Sequence, residues 1–505
     1  MQQSEMDRPW NFLRASELYN FAGSEEAAGT ELHITRLAPG DGRVELDWQY
    51  QGDMSSLEGG GLAYRISYGL RGNGEKTVVA HNSRMPHAII EGLENGVDYE
   101  LTVTAVRAAT DEPVAESALR LFCAGPVPGT VINYIHPEDY AYGFSGRSPA
   151  SPSIVELPDG RLVASHDVYW GNAGQNLSKV FRSEDNGETW TFIADLYPCF
   201  WGKLFVHQER LYMLATSTEY GDLLIGRSDD GGETWSAPTC LIEGGSRETG
   251  GPHKSSMPVT IHNGRLWTAI DYGSWHIKGR HASGVISASV DSNLLDAASW
   301  IATPFLPYDS SWEGAVKGGI RTNLLEGNVV KMPDNRLVSL LRYECYGASE
   351  EFGKAIYLEI DPALPEASPS FGKVIDFPNN NSKFSVYYDA PSGLYWSLVN
   401  RYVAHVGQRN VLSLVCSPDM EQWQVVKDIL DYERNDWPED YTKVGFQYVD
   451  WFVKGEDLLF ASRTAINGAA NYHNANYLTF HRIVKFRSLT NQQPSDLRPL
   501  AKKES

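Results

Sequence analysis

Basic residues are scarce in this chain of 505: 43 Lys and Arg stand against 64 Asp and Glu, a formal charge of −21. A surface this acidic repels phosphate backbones and anionic headgroups, so neither nucleic acid nor a membrane is expected as a partner. Long apolar runs are also missing. Hydrophobic residues make up 42% of the chain, and no stretch reaches membrane-spanning length. Cysteine is sparse: Cys123, Cys199, Cys240, Cys345 and Cys416 are odd in number and scattered, without metal-ligand spacing. That usage points to a reduced, intracellular protein, and no motif calls for a metal or another cofactor. The opening residues Met1-Gln2-Gln3-Ser4-Glu5-Met6 carry no basic or apolar leader pattern. A cytoplasmic location is therefore expected, or a secreted one if a leader was removed.

Glycine, at 46 residues, and aromatics, at 11%, are plentiful and suit short twisted strands with tight turns. Residues 1–29 form a polar extension with a weak helical stretch around Trp10-Asn11-Phe12-Leu13. From Leu32 the pattern has period two, as in Val44-Glu45-Leu46-Asp47-Trp48 and Tyr99-Glu100-Leu101-Thr102-Val103. Leu93-Glu94-Asn95-Gly96-Val97-Asp98-Tyr99 matches a corner in which a tyrosine hydroxyl ties back to its own loop. With Trp48 on an early strand, residues 30–125 resemble a fibronectin type III sandwich. Gly125-Pro126-Val127-Pro128-Gly129 then reads as a linker.

Two octapeptides 45 residues apart mark the remainder: Ser183-Glu184-Asp185-Asn186-Gly187-Glu188-Thr189-Trp190 and Ser228-Asp229-Asp230-Gly231-Gly232-Glu233-Thr234-Trp235. Asp and Ser can bond the turn backbone, Gly supplies a positive φ, and Trp plugs between neighbouring sheets. The spacing is that of one four-stranded propeller blade. Weaker relatives lie at Asp291–Trp300 and Ser417–Trp423. Six hairpins recur, with turns such as Pro158-Asp159-Gly160-Arg161-Leu162 and Lys454-Gly455-Glu456-Asp457-Leu458. The expected fold is thus all-β: a β-propeller over residues 126–490 after the sandwich, then a polar tail over 491–505. Six blades are favoured; Val131–Phe144 supplies either a closing strand or a seventh.

Propeller topology sets the hairpin turns and octapeptides at one face and any ligand at the other, among inner-strand starts and the ends of their partners. Those positions hold Arg147, Trp201, Lys203, His253, Lys254, Glu326, Gln447 and Tyr448, with His166, Tyr272, Arg342 and Arg463 opposite. His473 and Asn474 come from a terminal loop suited to reading hydroxyls. His166 ends an apolar strand beside Asp167 and is the expected acid/base; His253, Tyr272 and Glu326 are its assistants. The arginines and lysines are expected to hold a carboxylate, and Trp201 to stack on a sugar ring.

The octapeptides, the Ser151-Pro152-Ser153-Ile154 strand and Gly445-Phe446-Gln447-Tyr448-Val449-Asp450-Trp451 together resemble the sialidase-like, Asp-box propeller superfamily. Where sialidases carry Phe/Tyr-Arg-Ile-Pro, this chain has Gly146-Arg147-Ser148-Pro149. Ala164-Ser165-His166-Asp167 is more similar to the ulvan lyase and rhamnosyl-glucuronate rhamnosidase propellers. That resemblance implies a channel histidine, His166, as acid/base, and seven blades. The expected activity is cleavage of a glycosidic bond next to an acidic sugar on an oligosaccharide or polysaccharide, by hydrolysis or by β-elimination. The alternatives are a sugar-binding propeller without catalysis and a structural platform.

Overall fold

The computed structural model describes residues 7–23, 30–56, 61–81, 85–277, 281–319, 321–347, 352–403, 409–432 and 440–491. Most of the polar tail expected over 491–505 lies outside them, as do parts of the N-terminal extension. The described chain is almost entirely β, and its helix, Ala15–Phe21, follows the stretch in which helix was expected. Trp10 is instead inserted at the boundary of the first two propeller sheets. Its indole donates to Pro198 O at 2.7 Å and meets Trp235 edge-on at 6.5 Å.

Residues 32–123 form two antiparallel sheets. Leu32–Gly40, Arg43–Tyr50 and His87–Glu91 make one; Leu62–Leu70, Thr77–His81, Asp98–Arg107, Pro113–Glu116 and Arg120–Cys123 make the other. Their alternating apolar residues, among them Leu46, Trp48, Ile66 and Val103, meet in one core. The Tyr99 hydroxyl accepts the Glu94 amide at 2.9 Å, closing the loop as the corner motif predicts. Arg36 fastens this unit to the rest: it is buried, donates to Ile132 O at 2.8 Å, and pairs with Glu45 and Asp47.

The rest of the chain is a β-propeller, and six antiparallel sheets follow in order. The first runs Ser148–Glu156, Leu162–Tyr169, Ser178–Ser183, Thr191–Leu196; the next three begin at Phe200, Gly251 and Arg321, the fifth at Val386. The last comprises Gly445–Lys454, Asp457–Ala465, Tyr477–Ile483 and, as its outermost member, Thr130–Tyr134 from before the first sheet. Residues 130–134 thus act as a closing strand that joins the two ends of the propeller.

Both octapeptides fold as their chemistry dictates. Asp185 accepts from Thr189 N and Oγ1 at 2.9 and 2.5 Å, and Trp190 donates to Gly187 O. Asp230, Thr234 and Trp235 repeat the pattern, and Trp423 donates to Met420 O in the weaker copy. Trp190 packs on Phe480 of the last sheet and Trp235 joins the core between the first two, both nearly inaccessible. Lys454 bonds Gly160 O and the Asn186 side chain, so hairpin turns and octapeptide tip share one face.

Candidate active site

At the opposite ends of the inner strands, four of the six sheets carry the same irregularity. The inner hairpin slips register between Ala150 and Ser153, Phe200 and Lys203, Leu325 and Asn328, and Gln447 and Asp450. The extra residues Ser151, Trp201, Glu326 and Tyr448 all have left-handed backbones, with φ of 44°, 52°, 52° and 54°. A bulge of this kind re-aims its side chain, and a non-glycine residue there costs about 1–3 kcal/mol unless its surroundings hold it. Asp167 holds one, taking the Trp201 amide at 2.7 Å; Asp271 holds another, taking the Glu326 amide at 2.7 Å.

All four re-aimed residues line one cavity of about 280 Å³, with Ala150, Tyr169, Glu219, His253, Trp275, Arg342, Glu344, Arg409, Arg463 and His473. His253 Nδ1 lies 3.3 Å from Asp271 Oδ2, and Nε2 has no partner among the described residues. Trp201 meets its ring edge-on at 4.4 Å and Trp275 lies at 6.1 Å. Arg342 bonds Glu326 at 3.1 Å and the Tyr448 hydroxyl at 3.4 Å, with Glu344 at 3.9 Å. Arg409 and Arg463 both lie over the Tyr448 ring, at 5.3 and 5.5 Å. Arg409 donates to the Gln447 side chain. Arg463, 3% exposed, has no hydrogen-bond partner for Nε or Nη2 among the described residues. Burial pushes its guanidinium down to about 10. Burial, reinforced by Arg463 and Arg409, also holds His473 well below the usual imidazole range.

The structure therefore brings together Trp201, His253, Glu326, Arg342, Tyr448, Arg463 and His473, and places the other expected residues elsewhere. His166 is fully buried off the cavity: Nδ1–H donates to Asp167 O, Nε2 accepts from Asn133, and the ring stacks on Phe181. Burial holds its imidazole at about 3, and both ring nitrogens are spent inside the fold instead of on the cavity. Tyr272 packs on Phe305 and does not line the cavity. Both corrections have one cause: side chains alternate along a strand, and here the neighbours Asp167 and Asp271 have the parity that faces the bulges.

Lys203 and Lys254 are buried and do not line the cavity. Lys203 pairs with Asp450 at 2.6 Å, and Lys254 donates to the carbonyls of Trp201, Leu214 and Ser255. Burial pushes Lys254 down to about 7. Gln447 is buried and anchors Arg409 and the 472–473 loop. Asn474 caps the His473 ring, and Arg147 sits between the rings of Tyr140 and Trp170. A Cβ at Gly327 would fall 2.5 Å from Ser339 Oγ, against the neighbouring strand. Sequence reasoning missed Tyr169, Glu344 and Arg409. The first two share strand parity with Asp167 and Arg342, a usable signal, whereas Arg409 precedes its strand in a segment without periodicity.

A propeller with strained, charged residues gathered at one mouth is the class of protein this geometry defines. The chain belongs to the BNR repeat-like domain family, whose profile matches residues 204–460. Among solved structures it is similar to a Penicillium chrysogenum alpha-L-arabinanase complexed with arabinobiose, at 15% identity over 71% of this chain and 98% of that one, TM-score 0.46. It is also similar to a leech intramolecular trans-sialidase complexed with 2,7-anhydro-Neu5Ac, at 10% identity, 93% and 94% coverage, TM-score 0.44. The polysaccharide lyase Uly1 aligns at 7% identity over 90% of each chain, TM-score 0.38. No curated protein matches the chain.

Proposed function

We propose that the protein is a carbohydrate-active enzyme, a glycoside hydrolase that cleaves the bond next to an acidic sugar. One observation carries the reading. Arg409 and Arg463 line the cavity with no carboxylate partner among the described residues, and His253 and Glu326 line it too. A buried guanidinium without a counter-ion is costly, and a uronate or sialate carboxylate would relieve that cost through forked hydrogen bonds.

The chemistry follows from placement. His253, its Nδ1 engaged by Asp271, would take a proton from the attacking water at Nε2. Tyr448, rather than Tyr272, is placed to give a proton to the leaving oxygen, and its phenolate would rest against Arg342, Arg409 and Arg463. The Glu326 carboxylate, held by Arg342, faces the positive charge that develops on the sugar ring. Trp201 and Trp275 supply flat faces for the ring. The N-terminal two-sheet unit is read as a fibronectin type III-like spacer.

The same groups support β-elimination as a second reading, since guanidinium neutralisation of a uronate and a neutral histidine base are what that reaction needs. A panel of oligosaccharides ending in uronate, sialate or neutral sugars separates the possibilities. New reducing ends without the ultraviolet absorbance of an unsaturated sugar are the expected result. Absorbance would mean elimination, binding without turnover a lectin, and indifference to every acidic glycan would overturn the proposal.

A further inference from the structure

We propose that Asp271 is a positioning residue, one carboxylate oxygen that fixes both the ring of His253 and the strained backbone of Glu326. The inference rests on the reading above, in which those two side chains do the chemistry. Asp271 ends the strand Arg265–Gly273, is 1% exposed, and does not line the cavity. Its Oδ2 accepts the Glu326 amide at 2.7 Å and the His253 Nδ1–H at 3.3 Å, while its Oδ1 has no partner among the described residues. Burial raises its carboxyl above the usual range, and the bond from His253 opposes that rise.

Asp167 shows what the same device looks like without a catalytic ring. It occupies the matching register position, opposite Ala150 as Asp271 is opposite His253. Its two oxygens take the Trp201 amide at 2.7 Å, the Gly202 amide at 3.4 Å and the Ser178 hydroxyl at 2.5 Å. Asp167 is thus a bulge anchor with both oxygens bonded. At Asp271 the anchoring oxygen is shared with an imidazole that reaches the cavity, and the second oxygen has no partner among the described residues. Because an amide N–H can only donate, the atom between Glu326 and His253 must be an acceptor. With the Asp271 carboxylate ionised, that atom accepts from both sides, which puts a proton of His253 on Nδ1 and turns Nε2 to the cavity. It also ties the direction of the Glu326 side chain, set by φ of 52°, to the position of the ring.

The test uses the full chain with 15N-labelled His and Glu. In the wild type, ring nitrogen shifts should report an Nδ1–H tautomer for His253. In Asp271→Asn, whose carbonyl can keep the same place, the tautomer and the Glu326 amide shift should persist. In Asp271→Ala the ring should pass to mixed tautomers and the Glu326 amide should move upfield and lose exchange protection. Asp271→Ser, too short to reach both donors, serves if the alanine variant does not fold. With a sugar substrate in hand, kcat should fall about 10²–10⁴-fold in Asp271→Ala with KM little changed, and Asp271→Asn should restore most of it. An unaltered tautomer and Glu326 amide in the folded alanine or serine variant would overturn the proposal, as would an asparagine variant that behaves like alanine. The spectra need no substrate, so a glycan panel without turnover would sink the proposed activity and leave this assignment to be judged separately.

Discussion

At the scale of single residues, the two most informative side chains are a histidine with both ring nitrogens bonded inside the fold and an arginine with two nitrogens unbonded among the described residues. His166 spends both ring nitrogens inside the fold, on Asn133 and on the Asp167 carbonyl, and Asn133 in turn accepts the Leu37 amide of the N-terminal unit. His166→Ala should therefore cost about 2–4 kcal/mol of stability through the cavity and the orphaned amide, read as a lower melting temperature, with turnover of the folded fraction nearly unchanged. Loss of turnover at unchanged stability would instead return the catalytic role to His166. Arg463 is the converse case, since its Nε and Nη2 are buried without partners among the described residues. Arg463→Lys keeps a charge but loses the planar fork and the stack on Tyr169 and Tyr448. Affinity for an acidic oligosaccharide should drop at least about tenfold, the usual worth of one charge-assisted bond, while a neutral analogue is unaffected. Equal affinity by calorimetry would make Arg463 structural.

At the scale of elements, what could be read from sequence and what could not divide along a physical line. The octapeptide turns were legible because the bonds that shape them are local: Asp185 meets Thr189 four residues away, and Asp230 meets Thr234. Asp185→Ala removes three of those bonds in a partly exposed turn far from the cavity. It should lower stability by about 1–2 kcal/mol and leave ligand binding intact; a change in binding would mean that the two faces communicate. The Tyr99 corner was legible for the same reason. The site was legible only as a neighbourhood. Strand starts and ends led to Trp201, His253, Glu326, Arg342, Tyr448 and Arg463, which share one cavity, but a bulge shifts side-chain parity, and no residue type announces one. Trp, Glu and Tyr are poor left-handed formers, so their φ values at 201, 326 and 448 come from tertiary anchors such as Asp167 and Asp271, which sequence pattern does not show. The closing strand 130–134 was visible as a possibility, and its pairing with Tyr477–Ile483 spans more than 340 residues, beyond the reach of local pattern.

At the scale of the whole molecule, protons and salt act on the fold and the site in opposite ways. Burial holds His33 at about 4 and His166 and His481 at about 3, against about 6.5 for an unfolded histidine. Below pH 6.5 the unfolded chain binds more protons at these sites, so their contribution is whole above that value and is lost as pH falls toward 4 and then 3. Asp167, raised to about 7 by burial, works against this, its contribution being present at low pH and lost as pH rises through 7. His473, held down as well, joins the three histidines, and Asp271, raised by burial, joins Asp167. Four histidines outweigh two aspartates, so the melting temperature should fall steadily from pH 6.5 to 4; a flat profile would show that the rings are hydrated. Salt tests the electrostatics of binding. The net charge of −21 repels an acidic oligosaccharide at long range, whereas Arg409 and Arg463 attract it from within a buried cavity. Between about 0.01 and 0.15 M salt the screening length shrinks from about 30 to 8 Å, which removes the distant repulsion first and touches the buried contact least. Affinity and association rate for an acidic substrate should therefore rise over that range, against the usual direction for a guanidinium–carboxylate contact. A neutral sugar should show no trend, and a monotonic fall for the acidic one would place its carboxylate at an exposed basic patch instead of the Arg409–Arg463 pair.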